Sequence, residues 1–252
     1  MRRLFSSATP SAALALAMVA IPAGVSAQLS PAAIVEDFSA ETVGSAPTSF
    51  STPIGWWSIG TDGVDTKPVL FEDGTRYATA TGVQSIAAQA QAQAQGQNIH
   101  QLSDFSGSFN YFEVATFNKV PNFSQGSVVT QFAIVGGDLD TEAGIAFGYQ
   151  PNGDYLILRL DADESSLELY SVVQGQANAL SIVENVPTAL ARWHNLQLTV
   201  PTGGTHITGL LDGQRFLDVD LTGPISGQVG AWSKTDTVVL FNSFTVDPNA
   251  TE

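Results

Sequence analysis

The second half of this chain alternates apolar and polar residues, segment after segment, and this pattern constrains its fold more than anything else in it. Leu156, Leu158 and Leu160 alternate with Tyr155, Ile157 and Arg159. Leu196, Leu198 and Val200 alternate with Asn195, Gln197 and Thr199, and Leu217, Val219 and Leu221 with Phe216, Asp218 and Asp220. A period of two sends one set of side chains into a core and the other to an outer face. Between such runs stand Asp62-Gly63, Asp73-Gly74, Asn152-Gly153 and Asp212-Gly213, pairs suited to tight hairpin turns. The pattern predicts strands near residues 36–39, 57–60, 76–81, 98–102, 109–120, 127–135, 143–150, 155–161, 167–173, 180–184, 193–200, 207–212, 214–221, 228–233 and 238–246. With no long helix among them, they predict an all-β sandwich of two large antiparallel sheets.

One stretch resists the pattern. Residues 87–97 alternate alanine with glutamine almost without interruption. Their composition favours helix and their alternation a strand, and the segment is expected as an edge strand or ordered loop.

The N-terminus has its own logic. Arg2 and Arg3 precede an apolar run that ends in Val25-Ser26-Ala27, the layout of a secretory signal peptide cleaved after Ala27. Residues 28–33 are then a short linker, 34–247 one domain and 248–252 a tail. The domain is large enough to bury a substantial core without disulfides, which the absence of cysteine requires. That absence also removes thiol chemistry and cysteine-ligated zinc. A formal charge of −15 makes nucleic acid a poor partner, because phosphate needs a basic stripe. No later stretch is suited to membrane insertion. The acidity serves solubility outside the cell, or calcium binding through carboxylates.

Several segments together resemble a known fold family. Glu142-Ala143-Gly144-Ile145-Ala146-Phe147-Gly148-Tyr149-Gln150, then residues 154–161, then Leu167-Glu168-Leu169-Tyr170 look like the middle of a concanavalin A-like jelly roll. They are similar to laminin-G-like modules and to the bacterial 3-keto-disaccharide hydrolase domain. Trp193-His194-Asn195-Leu196, Leu211-Asp212-Gly213, residues 227–233, Phe241-Asn242-Ser243-Phe244 and the opening Glu36-Asp37-Phe38 extend the likeness over nearly all of 34–247. The hydrolase-like domains often carry arginine where this chain has Gly148. The resemblance implies the lectin and glucanase type of sandwich, but such a fold hosts lectins, hydrolases and adhesion modules alike.

Parity then nominates a site. With the leucines inside, Tyr155, Arg159, Glu168 and Tyr170 face out, and the same reasoning places Glu113, Gln131 and Gln150 beside them on a concave sheet. Cross-strand pairing on an ordinary outer surface, Arg159 with Glu168 for example, is the alternative. The expected ligand-binding set is Gln131, Gln150, Tyr155, Arg159, Tyr170 and Trp57, since sugars stack on aromatic rings between polar groups. Trp56 and Trp57 are adjacent, so a strand would bury one and expose the other; the sequence does not say which. Glycoside hydrolysis needs two carboxyl groups about 5–9 Å apart, and Glu113 and Glu168 are the candidates should the chain be an enzyme. Asp138-Leu139-Asp140-Thr141-Glu142 has suitable spacing but follows two glycines, and is expected as a solvated acidic loop. His100, His194 and His206 show no metal-ligand spacing. The relatives' calcium implies that Asp37 and Asp247, near the paired chain ends, could hold a structural ion; no other cofactor is required. The functional expectation is a secreted module that binds an oligo- or polysaccharide, with a glycoside hydrolase and a non-catalytic surface or matrix protein as alternatives. The oligomeric state is unknown.

Overall fold

The computed structural model describes residues 32–75 and 112–250. Fifteen strands lie in them: β1 (Ile34–Glu36), β2 (Phe50–Ile54), β3 (Trp57–Thr61), β4 (Pro68–Asp73), β5 (Phe112–Phe117), β6 (Gly126–Gly136), β7 (Glu142–Tyr149), β8 (Tyr155–Asp161), β9 (Ser166–Val173), β10 (Gln176–Glu184), β11 (His194–Val200), β12 (His206–Leu211), β13 (Gln214–Asp220), β14 (Gln228–Lys234) and β15 (Val238–Asp247). They form two antiparallel sheets. Sheet A runs β13-β12-β11-β6-β15-β4-β3, with β1 added to β15; sheet B runs β10-β9-β8-β7-β14-β5-β2. The opening strand thus pairs with the closing one, as the likeness implied. The signal peptide, the expected strands at 76–81 and 98–102, the alanine–glutamine segment and His100 lie outside the described residues.

The leucine alternation is realised. Leu158, Leu160, Leu167 and Leu169 from sheet B meet Leu196, Leu198, Val200 and Leu217 from sheet A in the main core. At its other end Phe38, Phe50, Phe117 and Phe244 interlock, with neighbouring ring centroids 5.0 to 5.9 Å apart. At about 25 cal/mol per Å² of apolar surface, such rings dominate the stabilisation of a domain without disulfides.

The sequence reading differs from the structure in two kinds of place. It overlooks β2 and β4, both of which contain proline, at Pro53 and Pro68. Proline is tolerated at a bulge or a first strand residue, and β2 does shift register between Ser51 and Ile54. The opening strand ends at Glu36 rather than starting there, because Phe38 has φ 60° and Glu36 accepts the Phe38 N–H at 2.8 Å.

The second difference decides the site. The outer face of sheet B is not simply polar. Ile54, Phe112, Val114, Ala146, Tyr155, Ile157, Val172 and Trp232 form a second buried apolar cluster there. Glu113 is expected on the outer face beside Arg159, but the outer face takes Phe112 and Val114 instead. Ala115 and Phe117 belong to the main core, so Glu113 shares their inward face. All six residues of β5 are buried, so burial leaves no polar face to set the direction.

Candidate functional site

Four neighbouring strands of sheet B bring an ion cluster to its outer face. In the register, Trp232 of β14 is paired with Gly144 of β7, Gly144 with Arg159 of β8, and Arg159 with Glu168 of β9. The next row holds Glu142 opposite Asp161, and Asp161 opposite Ser166. Gly144 makes room for the arginine. A Cβ there would stand 2.7 Å from the Arg159 Cα and closer still to the Leu158 carbonyl.

Arg159 is 7 % exposed and is held from two sides. Its Nη1 pairs with Glu142 Oε2. Its Nη2 and Nε both reach Glu168 Oε2, at 2.6 and 2.8 Å. The guanidinium lies over the Tyr170 ring at 4.3 Å and the Trp232 ring at 5.6 Å, within range for cation–π attraction. Ser166 donates to Glu168 Oε1 at 2.7 Å. Lys234 bridges Glu142 at 2.5 Å and Asp140 at 2.6 Å. Trp232 and Glu168 are buried, whereas Tyr170 and Lys234 remain partly exposed.

The electrostatics follow from burial. Desolvation pushes the Glu142 carboxyl up to about 7, against the pull of Arg159 and Lys234. Burial works against the charge of Arg159, but Glu142 and Glu168 outweigh it and hold it protonated. Lys234 is raised in the same way, chiefly by Glu142 after burial. The result is a fixed arrangement of hydrogen-bonding groups beside an aromatic ring.

Arg159, Glu168 and Tyr170 therefore come together as expected, and the Arg159–Glu168 pair is real. Other expected residues do not join them. Glu113 points into the space between the sheets, so Glu113 and Glu168 lie on opposite faces of sheet B and do not form the proposed carboxyl pair. Gln131 belongs to β6 in sheet A, where it meets Asn242 at 2.5 Å and Asn195 at 3.3 Å. Trp57 is the core tryptophan, with its ring 5.9 Å from Phe241 and its Nε1 donating to the Ile54 carbonyl at 2.9 Å. Trp56 is the exposed one. Tyr155 is buried in the outer cluster, and with Gln150 it lines a cavity of about 500 Å³ walled by Leu156, Val172, Leu180 and Ile225.

Asp37 and Asp247 are not brought together. Glu36 pairs with Phe244 and Ile34 with Val246, so the two aspartates stand at opposite ends of that short ladder. Asp37 is turned to Ser39, and Asp247 to the Asn249 N–H. Glu142 is the residue that sequence reading missed. It is the first residue of β7 and 3 % exposed, not part of a solvated loop. The spacing Glu142-x-Gly144, leading into an alternating strand, was the available signal. Carboxylate oxygens of Asp161, Glu164 and Glu168 also lie within 4.8 Å of one another, but Arg159 and Ser166 already occupy Glu168, and the Glu164 N–H occupies Asp161.

With this geometry in view, the comparisons bear on the fold. No family model matches the chain, and neither does any curated protein. The carbohydrate-binding module CBM66 from Bacillus subtilis superposes with a TM-score of 0.53 at 13 % identity, over 79 % of this chain and 96 % of that one. The Crh5 transglycosylase in its apo form gives 0.50 at 10 % identity, over 88 % and 86 %. The fold is a concanavalin A-like jelly roll. The expected lectin and glucanase type of sandwich is thus present, and likenesses at such identities speak for the fold alone.

Proposed function

We propose that this chain is an exported module that binds an oligo- or polysaccharide on the outer face of sheet B. The observation that carries the reading is the Arg159 guanidinium, clamped between two glutamates and stacked on a partly exposed tyrosine. A sugar offers vicinal hydroxyls and an apolar ring face. Fixed charged donors and acceptors suit the first, and an aromatic edge suits the second. Because the partners are already locked by ion pairs, little ordering entropy is lost on binding. The fold shared with a carbohydrate-binding module supports the same reading by analogy.

A hydrolase is the second reading, and one observation favours it: Glu142 sits near neutrality, where a general acid operates. Against it, the guanidinium fills the gap between Glu142 and Glu168, whereas glycoside hydrolysis needs a sugar bond between its carboxyl groups. A glycan array run beside a hydrolysis screen on di- and polysaccharides, including 3-keto sugars, tests both. Binding without turnover supports the module. Turnover lost in Glu142→Gln or Glu168→Gln would replace it with the enzyme, and silence in both assays would leave a structural surface protein. N-terminal sequencing of the exported protein tests export, with Gln28 expected as the first residue.

A further inference from the structure

A second acidic centre lies inside the sandwich, away from Arg159. Glu113 of β5 is 1 % exposed, and neither of its carboxylate oxygens has a hydrogen-bond partner. Its cross-strand neighbour on β14 is Ser233, fully buried, whose hydroxyl is likewise unpartnered. Thr141, two residues before the inward-facing Ala143, has a second buried hydroxyl without a partner. From sheet A, Glu72 of β4 brings a second fully buried carboxylate, whose Oε1 accepts the Trp56 N–H at 3.2 Å.

The connection from β2 to β3 packs over this place. Gly55 has φ 105°, and a Cβ there would lie 2.7 Å from Trp57 Nε1 and 2.9 Å from Glu113 Cβ. Only glycine lets the turn, the indole and the glutamate approach so closely. Asp140 and Asp236 add negative charge nearby, but both have partners of their own. Lys234 binds the first, and the N–H groups of Asp138, Leu139 and Asp140 bind the second.

We infer that Glu72, Glu113 and Ser233 form an intersheet site for a hard divalent cation of the calcium type. Two carboxylates supply a formal charge of −2, and the donors are all oxygen. Hard oxygen donors select calcium or magnesium over softer metals, and calcium tolerates an irregular set completed by backbone carbonyls and water. A buried carboxylate with no hydrogen bond is costly, and a cation would satisfy both oxygens of Glu113 at once. Burial, then the charge of Glu72, push the Glu113 carboxyl well up, so a proton is the competitor for the same place.

The nearby indole provides the readout. The full exported chain, freed of metal with a chelator, is titrated with terbium under tryptophan excitation and then with calcium. Sensitised emission should saturate and be displaced by calcium. Calcium at a hundredfold its Kd should raise the Tm by roughly 5–10 °C. Glu113→Gln should abolish both effects, and Ser233→Ala should weaken calcium binding about tenfold while leaving the fold intact. Glu164→Gln, at the one exposed carboxylate of the Asp161, Glu164 and Glu168 group, should change neither. The inference is overturned if the wild type shows no emission and no Tm shift, if Ser233→Ala binds as tightly as wild type, or if the response survives in Glu113→Gln but disappears in Glu164→Gln. Saccharide binding is a separate readout, so either proposal can fail without the other.

Discussion

Sheet B buries carboxylates on both of its faces and treats them in opposite ways. On the outer face, Glu142 and Glu168 share Arg159, with Lys234 as a further cation. On the inner face, Glu113 confronts Glu72 and has no hydrogen-bond partner. A buried charge must be paired, neutralised or coordinated. The outer face uses pairing, which fixes side chains for recognition. For Glu113, on the inner face, protonation or a cation is the remedy.

The largest expected effect comes from breaking the paired side. Arg159→Met strands Glu168 in a buried setting and leaves Glu142 with Lys234 as its remaining cation, and should cost about 3–5 kcal/mol in denaturant unfolding at pH 7. If the loss is under 1 kcal/mol, the outer ion cluster is far more hydrated than its burial implies.

The pH dependence sharpens the contrast. The folded carboxyl of Glu142 is raised from 4.5 to about 7, so between those values the native state binds more protons than the unfolded one. Its contribution is therefore fully present below pH 4.5 and lost as pH rises through about 7. The change amounts to as much as ~3 kcal/mol. Glu113, raised by burial and by Glu72, acts in the same direction. Unfolding free energies at intervals from pH 4 to 8 should fall, and Glu142→Gln should flatten the decline.

In the chelator-treated protein, Glu113→Gln should gain about 1–2 kcal/mol over the wild type as the pH rises to 8, because a carboxyl raised by burial and by Glu72 costs stability above its unfolded value. At pH 5 the gain should vanish. A destabilisation at pH 8 would mean that the inner carboxylate is already compensated. Tyr170→Ala should have the smallest effect on stability, about 1 kcal/mol, the scale of one partly exposed cation–π contact.

The sandwich was legible because its leucines alternate strictly: Leu158 and Leu160 could face only one way if a core was to form. The pairing of β1 with β15 followed from the likeness of the two chain ends to known opening and closing strands. The strand β5 was not legible. Phe112, Val114, Ala115 and Phe117 cover both of its faces, so the period of two gives no direction, and Glu113 was placed on the wrong side. Glu142 was hidden by its neighbours, because two aspartates and two glycines before it suggest a loop. Trp56 and Trp57 could be distinguished only by the turn at Gly55, which aims the second ring at Phe241.

The central claim, saccharide recognition at the clamped arginine, is tested most directly by calorimetric titration of Tyr170→Ala beside the wild type, using the strongest ligand from a glycan array. The account predicts at least a tenfold weaker affinity in the variant, equal to about 1.4 kcal/mol, with an unfolding curve close to that of the wild type. An unchanged affinity, with the fold intact, would contradict it and move the site elsewhere on the molecule.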